Sequence, residues 1–98
     1  MPKGYWVSVY PTIDDPERLD VYNGLARLAV AAAGGRVLAG VGGRVDAHEA
    51  GIAERVVLIE FDNFDQAVAA RASAAYQKAL AELPDGFERD FRIVEGLN

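Results

Sequence analysis

Ninety-eight residues, 51% of them hydrophobic and 26% charged, make one domain spanning 1–98, too short for two cores and too apolar to stay disordered. A formal charge of -5 with scattered basic residues argues against a general phosphate-backbone binder. The lack of cysteine excludes disulfides, thiolate metal sites and cysteine nucleophiles, and no apolar run is long enough for a membrane span or a signal core, so the expectation is a soluble cytoplasmic protein.

In chain order, the first predicted element is "YWVSVY", Tyr5 to Tyr10, an aromatic and β-branched run stopped by Pro11 and read as a strand. In "DDPERLDVYNGLARLAVAAAGG", Asp15 before Pro16 has the order of a helix N-cap and first helical residue, and Glu17 adds charge where the helix dipole favours it. Leu19, Tyr22, Leu25, Ala26, Ala29, Ala32 and Ala33 recur at helical spacing, and Gly34 with Gly35 offers a left-handed C-terminal cap. "RVLAGV" reads as a short strand, "GGRVDAHEAGIAE" as a flexible loop, and "RVVLIEF", Arg55 to Phe61, as the clearest strand of the chain. Asn63 and Gln66 have capping-box spacing. Val68, Ala72, Ala75, Tyr76, Ala79, Leu80 and Leu83 form a second helical stripe, with Ser73 placed to re-cap the helix midway. "DG" at 85–86 turns the chain into a last strand, "FERDFRIV".

The order β-α-β-β-α-β predicts an α+β, ferredoxin-like domain: a four-stranded antiparallel sheet with its helices on one face. The first strand alternates Tyr5, Val7, Val9 against Trp6, Ser8, Tyr10, and the third alternates Val56, Leu58, Glu60 against Val57, Ile59, Phe61. Both sets are largely apolar, yet helices cover one face, and an open antiparallel face is normally polar. A second copy of the chain is the simplest cover, which predicts a homodimer with two sheets packed face to face.

"KGYWV", "GGRVLAG", "RVVLIEF", "SAAYQ" and "RIVEG" resemble, in order and over nearly the whole chain, the landmarks of a bacterial domain-of-unknown-function family, DUF1330. The resemblance implies a dimeric α/β barrel, in which two ferredoxin-like subunits pair sheet to sheet. Proteins of that architecture include cofactor-free monooxygenases of the antibiotic-biosynthesis type, muconolactone isomerases and haem-binding enzymes. It implies a fold and a pocket rather than a reaction. The chain departs from the family's pattern in "AARASAAYQ", where Arg71 stands for a Tyr and Ala74 for a Pro, and at Gly40, where an Arg is common.

The glycine-rich run "AAAGGRVLAGVGGRV" invites a phosphate-loop reading, but its context opposes it. A dinucleotide fingerprint runs from strand through G-x-G-x-x-G into a helix. Here the helix precedes the glycines, and Val45 stands where the last Gly or Ala belongs. The run reads as punctuation: Gly34 and Gly35 end a helix, Gly42 and Gly43 leave a strand, and Gly40 marks a bulge.

Two residues are candidates for proton chemistry. Glu60 is a carboxylate inside an apolar strand, where burial would favour its neutral form and suit it to accept a proton near neutral pH. The alternative is a structural pair with an Arg at the sheet edge or dimer seam. His48, the single histidine, is either a general base on a loop closing over a pocket or a solvated side chain; with no second ligand at metal spacing it makes no metal site. Arg36 and Arg55 are candidates to hold a carboxylate or phenolate by a bidentate fork, or else pair with the chain's acids. Trp6, Tyr22 and Tyr76 are candidates to line an apolar pocket, with core packing as the alternative.

These residues lead to a small-molecule-binding dimer, in one form a cofactor-independent enzyme on a small apolar or aromatic compound, with the pocket between sheet and helices. No cofactor motif is present. The alternative is a non-catalytic sensing or interaction module. RNA recognition shares the element order, but "RVVLIEF" lacks the glycine-aromatic pattern and the net charge is of the wrong sign, so no nucleic acid is expected.

Overall fold

The structure is a computed structural model that describes residues 2–11, 16–49, 51, 55–85 and 87–97. Its elements follow the predicted order: β1 (Gly4–Val9), α1 (Pro16–Ala32), β2 (Arg36–Ala39), β3 (Val56–Phe61), α2 (Phe64–Arg71), α3 (Ala74–Leu80) and β4 (Asp90–Glu95). The strands form one antiparallel sheet in the order β2-β3-β1-β4. This is the ferredoxin-like arrangement, with the first and third strands central.

Register assigns the faces. Trp6 sits opposite Ile59 and Ile93, and Ser8 opposite Val57 and Phe91, so these residues share one face. That face is the buried one. Trp6, Ile59 and Phe61 join Leu19, Tyr22, Ala29 and Val30 from α1, Ala67 and Ala70 from α2, and Tyr76 and Ala79 from α3 in one core. Trp6 is its centre: the indole Nε1 donates to the carbonyl of Ala67 at 2.9 Å, and its ring lies 4.8–5.3 Å from the rings of Tyr76, Phe61 and Phe91. The opposite face carries Tyr5, Val7 and Val9 with Val56, Leu58 and Glu60, and no helix of the described residues covers it.

Local chemistry explains the helix limits. Gly34 adopts φ +83, a left-handed conformation suited to glycine, and Gly35 N–H reaches back to the Val30 carbonyl at 2.9 Å. Asn63 caps α2 by accepting from Gln66 N–H, but the Gln66 side chain does not close the box. It instead donates to the Ala33 carbonyl at 2.8 Å, satisfying an orphan acceptor at the end of α1 and tying the two helices together. Ser73 does re-cap: its Oγ accepts from Tyr76 N–H and donates to Ala70 O.

That break corrects the second apolar stripe. Because Ser73 resets the helical phase, α2 buries Ala67 and Ala70 while Val68, Ala72 and Ala75 are exposed. In α3 Tyr76 and Ala79 are buried as expected. On α1, Leu25 and Ala32 face outward. The bulge expected at Gly40 falls at Leu38, where the β2–β3 register shifts; Gly40 lies past the strand end. The expected cap at Asp15 and the turn at Gly86 lie outside the described residues.

Candidate functional site

Between α1 and the buried sheet face lies a cavity of about 270 Å³. Its floor is Trp6, Ser8, Val57, Ile59 and Phe91; Tyr22, Ala26 and Val30 close it from α1, Tyr76 from α3, and Val37, Gly40 and Val41 from the rim of β2. This volume exceeds the roughly 150 Å³ that accommodates a benzene ring and falls just short of the ~300 Å³ at which drug-sized pockets begin. The walls are mostly apolar, and Ser8, Asn23 and Arg27 add polar atoms.

One end of the cavity is built from phenols. Tyr10, Tyr22 and Tyr76 all contribute to the wall and are 1–3% exposed. The Arg89 guanidinium ties them together, donating from Nη1 to Tyr10 Oη at 2.6 Å and from Nη2 to Tyr76 Oη at 2.8 Å. Tyr22 and Tyr76 are hydrogen bonded to each other through their hydroxyls. The guanidinium also packs on the rings of Tyr10, Tyr22 and Phe91, its carbon 4.9–5.1 Å from each centroid. Burial pushes the Tyr10 phenol up to about 12, against the pull of Arg89, and burial with Tyr76 beside it raises Tyr22 as well. Both phenols are therefore protonated donors at neutral pH. Burial opposes the charge of Arg89, but the surrounding phenols outweigh it and hold the group above its ordinary value.

The candidates read from the sequence separate into two groups. Trp6, Tyr22 and Tyr76 converge on the cavity wall. Arg55, at the mouth of β3, stacks on the Tyr10 ring at 5.5 Å, so it meets the same cluster from behind the wall. Glu60 and Arg36 lie together on the other side of the sheet, since Glu60 shares its strand face with Val56 and Leu58 and stands opposite Arg36 in the register. Arg36 Nε donates to the Glu60 carboxylate at 3.0 Å and its Nη2 approaches Asp62 at 3.1 Å, while Tyr5 Oη donates to Glu60 at 3.3 Å. Glu60 is 21% exposed, and burial together with this carboxylate raises Tyr5. His48 is 77% exposed on the long loop, beside Asp46 at 3.2 Å. Neither Glu60, Arg36 nor His48 is in the described cavity wall.

Arg89 and Tyr10 were not singled out by sequence reasoning. Arg89 falls in "RDFR", which reads as a charged strand edge, whereas it precedes β4 and turns inward beneath Tyr76. The available signal was the surplus of tyrosines at buried spacing, since buried hydroxyls need partners and a nearby Arg supplies several donors.

Known proteins agree with this architecture. The coordinates of the RPA0582 protein of unknown function from Rhodopseudomonas palustris superpose with TM-score 0.70 at 13% identity, covering 99% of this chain and 84% of that one. Its methylated form gives TM-score 0.73 at 13% identity, covering 99% and 82%. A provisionally assigned antibiotic biosynthesis monooxygenase from Nitrosomonas europaea gives TM-score 0.56 at 18% identity, covering 98% and 90%. At these identities the likeness is one of fold. No curated protein matches the chain. The sequence profile described as a domain of unknown function, DUF1330, matches residues 3–97, and the chain belongs to that family.

Proposed function

We propose that this protein binds a small apolar or aromatic compound, of about one ring, in the cavity between α1 and the sheet. The observation that supports it is the cavity itself: about 270 Å³ of space beside Trp6, against a core that includes several side chains under 2% exposed. Trp6 is the chain's single tryptophan, so its fluorescence reports on the site directly. Benzyl alcohol and benzamide should change that emission saturably, and Ala26→Phe, which projects a ring from α1 into the space, should abolish the change while leaving the circular dichroism spectrum intact. Emission that never saturates, or saturation unaffected by Ala26→Phe, contradicts the reading.

The functional unit in this proposal is a homodimer joined through the uncovered sheet faces. Tyr5, Val7, Val9, Val56 and Leu58 form an apolar band there, and Val94 is among the exposed large hydrophobic residues. Light scattering should give twice the chain mass, and Leu58→Glu should halve it.

Catalysis is a further step, and Glu60 is the residue on which it would rest. Its ion pair with Arg36 places it on the uncovered face, so a substrate acted on by Glu60 would sit at the dimer seam rather than in the cavity. Glu60→Gln abolishing turnover of a bound compound would support that role; unchanged turnover would remove it. The described residues lining the cavity include neither a carboxylate nor a histidine, which favours binding without proton transfer there.

A further inference from the structure

Hydrogen-bonding capacity at the phenol end of the cavity is unbalanced. A guanidinium carries five N–H donors, and each phenol carries one O–H donor beside its oxygen. The acceptors that Arg89 uses are the oxygens of Tyr10 and Tyr76, and the Tyr22–Tyr76 bond uses one more phenolic proton. Donors outnumber acceptors in the cluster.

The charge has the same bias. Among the described residues no carboxylate lies within ion-pair distance of Arg89, Arg55 or Arg71. Yet all three guanidinium groups pack against rings that wall the cavity: Arg89 on Tyr10, Tyr22 and Phe91, Arg55 on Tyr10, and Arg71 on Phe91 at 4.9 Å and Tyr76 at 5.3 Å. Arg55 Nη1 is buried without a hydrogen-bond partner. The chain has 15 acidic and 10 basic side chains, so three arginines gathered with no acid among the described residues in ion-pair reach run against its composition. A buried cation is stable where its charge is answered, and the rings answer it only in part.

We infer that the Arg89–tyrosine cluster is the recognition end of the cavity for a monocarboxylate carried on a small ring. The ring of such a ligand packs against Trp6, Val57 and Ile59, and its carboxylate accepts from phenolic hydroxyls polarised by Arg89. Two features select a carboxylate over a phosphate. The cavity is small and mostly apolar, and its phenol end is lined by neutral tyrosines with Arg89, Arg55 and Arg71 packed on their rings, Arg27 being the one cation among the described lining residues. A planar anion of single charge matches that arrangement, whereas a dianion demands more direct donors.

The inference rests on the cavity being a ligand site, and its test separates the two. The emission of Trp6 is titrated with benzoate, its neutral isostere benzamide, and phenyl phosphate at one pH and ionic strength. Benzoate is expected to bind at least tenfold more tightly than either of the others. Tyr10→Phe, which keeps the ring and removes one hydroxyl, is expected to weaken benzoate about tenfold and benzamide by less than twofold. Equal affinity for benzoate and benzamide overturns the carboxylate assignment and leaves the cavity site standing. Tighter binding of phenyl phosphate overturns the choice of anion. No binding by any of the three overturns both the assignment and the site. The wild-type comparison needs no variant to fold.

Discussion

Tyr76→Phe isolates what the phenol cluster contributes, because it removes one oxygen and leaves the packing in place. The ring, 4.8 Å from Trp6 and 6.2 Å from Tyr22, is retained, so no cavity opens. Two hydrogen bonds are lost, one from the charged Arg89 at 2.8 Å and one shared with Tyr22. A bond to a charged group contributes about 1.5–3 kcal/mol and a neutral one about 1, and Tyr22 can partly recover through Tyr10, so the expected loss is about 2–3 kcal/mol. For a domain of this length each kcal/mol moves the midpoint by roughly 4–8 °C, which gives a fall of about 10–20 °C. Thermal and urea unfolding, followed by circular dichroism and Trp6 emission at one protein concentration, measure it. Tyr22→Phe alone and combined with Tyr76→Phe complete a cycle, and the two losses should fall short of additive by about 1 kcal/mol, since both remove the same bond. A Tyr76→Phe protein within about 0.5 kcal/mol of wild type refutes the argument that Arg89 is held by these oxygens.

Alkaline pH should destabilise the fold. Burial raises Tyr10 from 10.0 to about 12 and raises Tyr22 too, so between those values the folded chain keeps protons that the unfolded chain releases. Stability is then full below pH ~10 and falls as pH rises toward ~12, by roughly 2–3 kcal/mol for Tyr10 alone, and urea midpoints across that range read it out. Two glycines should respond in opposite senses. Gly34→Ala forces a side chain onto φ +83 and onto Gln66 Nε2 at 2.6 Å, costing about 1–2 kcal/mol, whereas Gly24→Ala, mid-helix with open space around it, should add roughly 0.5–1 kcal/mol. Ser73→Ala removes the cap that restarts the second helical stretch and should cost about 1 kcal/mol, measured by the same unfolding curves.

Much of the fold is written locally. "YWVSVY" and "RVVLIEF" carry the β-branched and aromatic density of strands, and Gly34 and Ser73 act through their own backbone and side chain, so these features are legible without neighbours. Which face of a strand meets the helices is different. Val56, Leu58 and Glu60 are nearly as apolar as Val57, Ile59 and Phe61, and only the register with Trp6 decides between them. From the sequence Glu60 is therefore open to two readings, a buried acid or a structural partner of an Arg, and in the fold it is partly exposed and paired with Arg36. The same limit hid Arg89. Its surroundings come from β1, α1, α3 and β4, and no spacing within "RDFR" reveals that three tyrosines distant in sequence converge on it. Trp6, Tyr22 and Tyr76 were visible because large aromatics at regular spacing are core or pocket in either case, and here they serve both.

The most direct test of the ligand site is a nitrogen-resolved NMR titration with benzoate, following the indole N–H of Trp6, the only such signal the chain can give. That proton is held on the Ala67 carbonyl, and the Trp6 side chain that carries it lines the cavity. The account predicts a saturable shift of this resonance, accompanied by Ser8, Ala26 and Tyr76, with Val7 and Leu58 on the uncovered face unmoved. Saturable shifts confined to Val7, Leu58 and Glu60, with the indole signal unchanged, would contradict it.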